Sequence, residues 1–369
     1  MSLYNKNRIV LISPNDGTDV RIGKVCRSLS KMGFDIHFVG WDRRPGIEKS
    51  FELGSTCAHV MTGATIHGRF TVSGGIRFAR HVVKHLWQLR PNTVCCVNEE
   101  YALLVLPLRY LFYRYLVCDV FDALYDRHSN RNWLVCHVLK FLSVVSRTGT
   151  DCLIATDVAR FEKFGRHKNK SIVIGNYPED PGEELAFMVP EGPVKIYAAG
   201  SMSVRRGLQQ LIDVVDEMTN VEIISAGWLY DDYAKNVFSK HPMVTFHGIV
   251  SAQDSLRLAA TCDAVFGFYE PSSVNNRLAS PNKVYDAMSI GRPLIINEEA
   301  GVSQWVMENG VGLRTPYYNT DGLKQIIQNL KKRRNFLPGF AKHSRQLLSQ
   351  GYSWEKMEQK LYVLYRSFL

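Results

Sequence analysis

The residues best placed for chemistry lie in one stretch, ASPNKVYDAMSIGRP, residues 279–293. Pro281 fits the first turn of a helix, where its missing N–H costs nothing, and Ser280 fits the N-cap before it. Such a helix start offers free backbone N–H groups and the positive end of a dipole, which suits a diphosphate. Lys283, in the first turn, adds a full positive charge to the same oxygens. Asp286 lies one turn further along the same face and offers a carboxylate to a ribose diol; Gly291 ends the helix. The same residues also fit a plain amphipathic helix with a surface Lys/Asp pair three apart. A second cationic pair, Arg205 and Arg206, precedes Gly207 and a helical pattern. Positive charge at a helix start opposes the dipole, so an anionic ligand would explain the placement; a solvated helix start is the alternative.

Neither Asp-x-Asp nor a His/Cys ligand cluster is legible in the chain, and no CxxC pair offers a metal or redox site. No metal or cofactor is therefore expected, and neutralisation of a diphosphate falls to Arg206, Lys283 and helix N-termini. The absence of GxGxxG and GxxxxGK[ST] argues against a dehydrogenase or a P-loop enzyme.

The elements that must position these residues alternate along the chain. Short runs rich in Val, Ile and Cys, at 8–13, 35–41, 93–98, 116–122, 152–156 and 171–176, predict buried parallel strands. Helical spacing falls between them at 20–32, 75–90, 99–114, 131–146 and 157–164. After a stretch rich in Pro, Gly and acids the alternation restarts, with strands at 195–199, 221–226, 244–247, 263–268, 293–297 and 311–314. Helices are expected there at 206–218, 231–239, 252–261, 282–289, 302–308 and 320–332. The pattern predicts an α/β protein of two Rossmann-like, doubly wound domains facing a cleft, with ligands at the carboxyl ends of the strands. The expected boundaries are a first domain over 1–178, a linker over 179–193, a second domain over 194–350 and a final helical segment over 351–369.

In its second half the chain resembles the GT-B glycosyltransferases, specifically the broad group around glycosyltransferase family 4. The resemblance rests on KIYAAGSMSVRRGLQQLI, then VEIISAGW, then VTFHGIV, then SPNKVYDAMSIGRPLI, in that order. It implies that Arg206 and Lys283, with Asn282 and Ser280 beside them, grip the diphosphate of a nucleotide-sugar donor. Asp286 would stand where the family usually has a ribose-binding Glu. Loops at Gly227 and Gly248, with Glu270 nearby, would face the base. The Glu-x7-Glu pattern of many retaining members is broken, because Leu278 occupies its first position. In the first half SPNDGTD, residues 13–19, follows the first strand as the family's acceptor-side loop does, making Asp16 a catalytic candidate; a turn followed by an N-cap is the other reading. LVCDVFDALYD places Asp119 and Asp122 at a strand end. Asp122 is the candidate general base for the acceptor hydroxyl, its alternatives being an N-cap or a salt bridge to Arg127. Residues 352–369 resemble the family's last helix, which crosses back over the first domain.

Of 369 residues, 46% are hydrophobic and 22% charged, which excludes a disordered chain. No run of about 18 apolar residues spans a bilayer, and no signal peptide is read at the start, so the expected location is cytoplasmic. The net charge of +10 is one-sided: residues 1–180 hold 25 Lys plus Arg against 16 Asp plus Glu, while residues 181–369 hold 20 against 19. A basic first half suits an anionic partner. GIRFARHVVKHLWQLR, residues 75–90, carries four cations and no acid, its spacing setting Ile76, Ala79, Val83 and Leu86 opposite the cations; it suits contact with an anionic membrane surface or serves as an ordinary covering helix. The expected partners are a nucleotide-sugar donor, with UDP favoured over GDP, and a glycan or lipid-linked acceptor in surface polysaccharide assembly; no nucleic acid is expected. A nucleotide-sugar epimerase or hydrolase, or a non-catalytic basic binder, remains the competing reading.

Overall fold

Runs of β-branched and sulfur-containing residues build two parallel sheets in the computed structural model, which describes residues 4–43, 53–63, 65, 71–127, 132–272, 274–277, 282–332 and 334–369. The chain divides into two units, Met1–Asn176 with Met357–Leu369, and Tyr177–Lys356. The first contains β1 (Asn5–Ile12), β2 (Asp35–Asp42), β3 (Cys57–Thr62), β4 (Pro91–Val97), β5 (Tyr115–Val120), β6 (Cys152–Ala155) and β7 (Ser171–Val173), ordered β3-β2-β1-β4-β5-β6-β7. The second contains β8 (Val194–Met202), β9 (Val221–Leu229), β10 (Val244–Phe246), β11 (Ala264–Gly267), β12 (Leu294–Asn297) and β13 (Gly312–Thr315), ordered β10-β9-β8-β11-β12-β13. Both orders reverse direction after the first strand of the unit, the doubly wound arrangement that places ligands at the strand ends beside the reversal.

The first unit's helices are α1 (Val20–Lys31), α2 (Val72–Leu89), α3 (Glu99–Val105), α4 (Leu124–Arg127), α5 (Trp133–Gly149) and α6 (Val158–Glu162). Those that follow are α7 (Glu183–Ala186), α8 (Leu208–Asp216), α9 (Asp232–Asn236), α10 (Ala252–Ala260), α11 (Val274–Arg277), α12 (Lys283–Ser289), α13 (Ser303–Glu308), α14 (Thr320–Lys332), α15 (Leu337–Gly351) and α16 (Trp354–Arg366). In the first unit, Phe78, Val82 and Leu86 of α2 and Ala102 and Val105 of α3 pack on Val10, Ile12, Val94 and Leu116. In the second, Leu211, Val215 and Ile327 cover one face of the sheet over Ile196 and Phe266, while Val284, Met288 and Phe340 cover the other over Val265 and Leu294.

Three expectations change. The helix expected over 99–114 ends at Val105, because Pro107 lies in the tight turn Leu106–Leu108 and Tyr110 adopts φ +65°. Strand β3 and helix α15 were not expected; β3 (CAHVMT) is an edge strand of mixed polarity, without the apolar run that marks its neighbours. The buried stripe of α2 is Phe78, Val82 and Leu86, which leaves Ile76 on the outer face with Arg80 and Lys84.

Candidate functional site

The second unit gathers its cations where β8 and β11 end. Beyond β8 the turn Val204–Arg206 leads through Gly207 into α8. Gly207 has φ +72°, and a Cβ there would lie 2.7 Å from Phe268 Cβ, so glycine alone lets α8 begin against the aromatic residues after β11. That turn fixes Arg206, whose N–H donates to Ser203 O at 2.9 Å. Its guanidinium carbon stacks 4.3 Å from the centre of the Tyr269 ring, and its Nη1 is buried without a hydrogen-bond partner among the described residues.

Lys283 opens α12. Its stem runs past Gly267 and Gly200, whose built Cβ atoms would meet Lys283 Cδ at 3.6 Å and Cε at 3.9 Å. The ammonium donates a long hydrogen bond, 3.4 Å, to Phe266 O. Desolvation and then the Arg206 charge push its pKa down to about 7, against an upward pull from Asp286. Asp286 is half-buried, and its charge also helps raise the hydroxyls of Tyr197 and Tyr269, for which burial is the main cause. Arg206, Lys283, Asp286 and Tyr269 thus form one electrostatic neighbourhood.

Asn282 occupies the cap position of α12, exposed and without a side-chain cap bond, while its carbonyl accepts from the Tyr285 and Asp286 N–H groups. Ser280, Pro281 and Leu278 lie outside the described residues. Because α12 has seven residues, the full charges of Lys283 and Arg206 outweigh its dipole as anion binders. Gly227 pairs in register with Gly200, and a Cβ on Gly227 would lie 2.1 Å from Gly200 O, so this glycine serves the close approach of β8 and β9. Its N–H donates to Gly248 O at 2.7 Å. Glu270 belongs with the arginine turn: its N–H donates to Arg205 O at 3.0 Å. Its Oε2 lies 3.4 Å from Arg205 Nε, within ion-pair range but without hydrogen-bond geometry.

Two residues that complete this neighbourhood were not singled out from the sequence. Tyr269 supplies the ring under Arg206, and buried Asn297 at the end of β12 clamps its backbone, accepting from Tyr269 N at 2.7 Å and donating to Tyr269 O at 3.1 Å. Their shared signal is position, a large or polar side chain directly at a parallel strand's carboxyl end.

In the first unit, Asp16 Oδ1 accepts from Thr18 N and Thr18 Oγ1 at 3.1 and 2.6 Å, and Asp19 caps α1, so the loop is built as a turn and N-cap. Asp119 is buried and bidentate with Arg21, at 2.9 and 3.0 Å, rather than presented to a ligand. Asp122 lies just past β5, partly exposed, with Arg160 Nη2 at 3.2 Å from its Oδ1. Asn98 Oδ1 holds the backbone N–H groups of Phe121 and Asp122 at 2.8 and 3.1 Å. The Arg127 side chain is outside the described residues.

No protein-family model and no curated protein matches the chain by sequence. Solved structures match its fold along nearly the whole length. HepE from Anabaena, in complex with UDP and glucose, aligns with a TM-score of 0.72 at 16% identity over 98% of this chain and 99% of that one. Sucrose-phosphate synthase from Thermosynechococcus elongatus aligns with 0.71 at 14% identity over 98% of both chains. WaaG, a glycosyltransferase involved in lipopolysaccharide biosynthesis, aligns with 0.65 at 13% identity over 97% of this chain and 99% of that one. The fold is that of the GT-B glycosyltransferases.

Proposed function

We propose that the protein is a glycosyltransferase that transfers a sugar from a nucleoside diphosphate donor, UDP in preference to GDP, to a lipid-linked or glycan acceptor in surface polysaccharide assembly. The observation that carries this reading is the pair Arg206 and Lys283 in the second unit. A buried guanidinium nitrogen without a partner among the described residues and an ammonium held near its titration point both gain from an incoming diphosphate. Support for the donor class comes from a neighbour of the same fold in complex with UDP and glucose. Arg206 and Lys283 hold the departing diphosphate and neutralise its growing charge, so the donor needs no metal. Asp286 holds the ribose, and Asp122 takes the proton of the acceptor hydroxyl in an inverting displacement.

The first unit is the acceptor side and rests peripherally on the inner face of an anionic membrane. Supporting this, α2 presents Ile76, Val83 and Trp87 beside Arg80 and Lys84, and α5 exposes Trp133, Leu134 and Phe141. No described helix is long and apolar enough to cross a membrane.

Calorimetric titration with UDP and with GDP tests the reading. UDP binding that is lost in Lys283→Ala, with the circular dichroism spectrum unchanged, is the expected result. Full donor turnover by that variant would sink the assignment, and sugar interconversion without an acceptor would replace transfer with epimerisation.

A further inference from the structure

The strand that sequence reasoning missed brings together side chains far apart in the chain. Parallel pairing of β2 with β3 sets His37 opposite Cys57 and Val39 opposite His59. Cys57 and His59 are alternate residues of β3, so their side chains share one face of the sheet. One ligand atom from each of His37, Cys57 and His59 can be chosen so that all three lie within 4.8 Å of one another. His37 Nδ1 is already 3.0 Å from His59 Nε2. A tetrahedral zinc ion with bonds of about 2.0–2.1 Å to nitrogen and about 2.3 Å to sulfur separates its ligand atoms by roughly 3.3–3.6 Å. The two imidazoles need only part slightly, and the exposed Cys57 side chain need only turn inward.

The surroundings have the features of a shell around a metal. His81 and His85, four apart on α2, cover the group: the His85 ring centre lies 4.3 Å from that of His59 and 4.5 Å from that of His81. His81 Nε2 lies 3.0 Å from the His59 carbonyl oxygen, tying the helix to the strand. Behind His37, Asp35 Oδ1 sits 3.2 Å from Nε2, within ion-pair range though off hydrogen-bond geometry. A carboxylate in that place orients a ligating imidazole.

We propose that His37, Cys57 and His59 bind a zinc-class transition-metal ion that pins edge strand β3 to β2, with water as the fourth ligand on the exposed side. On binding, the Cys57 thiol gives its proton to solvent and the sulfur bonds the metal as thiolate. The site uses none of the residues assigned to the donor, so it stands or falls independently of the proposed transferase activity.

The test is a titration of full-length, reduced protein lacking a polyhistidine tag with Co2+, followed by competition with Zn2+. Saturation at one ion per chain is expected, with thiolate-to-cobalt charge-transfer absorption that Zn2+ abolishes. Cys57→Ser, a change at an exposed position, should remove that absorption, and His59→Gln should weaken binding by about tenfold or more. Cys136→Ser on α5 should change neither. Absence of saturable binding, charge-transfer absorption that survives Cys57→Ser, or unchanged affinity in folded His59→Gln would overturn the proposal.

Discussion

The two units handle positive charge in opposite ways. In the first, which contains most of the basic half, the inward-facing arginines are matched: Arg21 by Asp119, Arg147 by Glu99, Arg109 by Asp151, and Arg160 by Asp122 and Asp157. In the second, Arg334 and Arg345 are matched by Asp263 and Asp180, yet among the described residues Arg206 keeps a buried nitrogen without a partner, and Lys283 is driven down to about 7. Leaving a cation uncompensated near an apolar interior costs free energy that a folded chain normally avoids. Net charge therefore says which surface attracts anions at long range, while unmatched partly buried cations say where an anion is held. The nearly neutral half contains the stronger candidate.

The sharpest way to break this contrast is to remove the unmatched cations. Lys283→Ala and Arg206→Ala should each lower sugar transfer about 100- to 1000-fold, with the fold retained, since each deletes a charge that the proposed function sets against the leaving diphosphate. Steady-state kinetics with a UDP-sugar is the check, and an effect as small as that of Arg109→Ala in the first unit would erase the distinction. Next comes Asp122→Asn. If Asp122 takes the acceptor proton, kcat falls about 100-fold while the donor KM stays put; if its service is only the ion pair with Arg160, thermal stability falls and kcat does not.

Lys283 also predicts a pH effect of intermediate size. Its pKa in the free protein, about 7, is depressed by burial and Arg206, and a bound diphosphate must raise it. Above pH 7 the free protein has to take up a proton to bind the donor, so affinity should fall by up to about tenfold per pH unit between pH 7.5 and 9.5. Proton uptake, read as buffer-dependent calorimetric enthalpy, should vanish in Lys283→Ala.

Much of this was legible in the sequence, for reasons that differ by element. The central strands announced themselves because their inner stretches are covered on both faces, so residues 9–12 of β1, 94–97 of β4 and 294–296 of β12 read as short apolar runs. The edge strand β3 did not, because CAHVMT has exposed and half-buried positions and no such run. With it went the juxtaposition of His37, Cys57 and His59, which is set by strand pairing and not by spacing. Lys283, Asp286 and Arg206 could be singled out as candidates because a motif ties them to helix starts. Tyr269 and Asn297 were not, because their roles come from two strand ends meeting across the sheet. The phase of α2 was misread because its sequence supports two apolar stripes; Phe78, Val82 and Leu86 take the core, leaving Ile76, Val83 and Trp87 outside.

That displaced stripe leads to the weakest expected effect and the finest test of the comparison. If the first unit's charge surplus acts by attraction to a surface, its cations should be individually dispensable and additive, unlike Arg206 and Lys283. Near an anionic membrane each Lys or Arg contributes about 1 kcal/mol, so Arg80→Ala and Lys84→Ala should each weaken sedimentation with anionic vesicles by roughly fivefold, and less as salt rises. Uncharged vesicles should bind weakly and be indifferent to both changes, whatever the exposed Trp133 and Phe141 contribute. Transfer to a short water-soluble acceptor should be unaffected, because neither residue belongs to the proposed donor site. Should either substitution lower soluble transfer as strongly as Lys283→Ala, the positive field of the first unit would be part of the chemistry, and the division between a surface that attracts and a site that holds would fail.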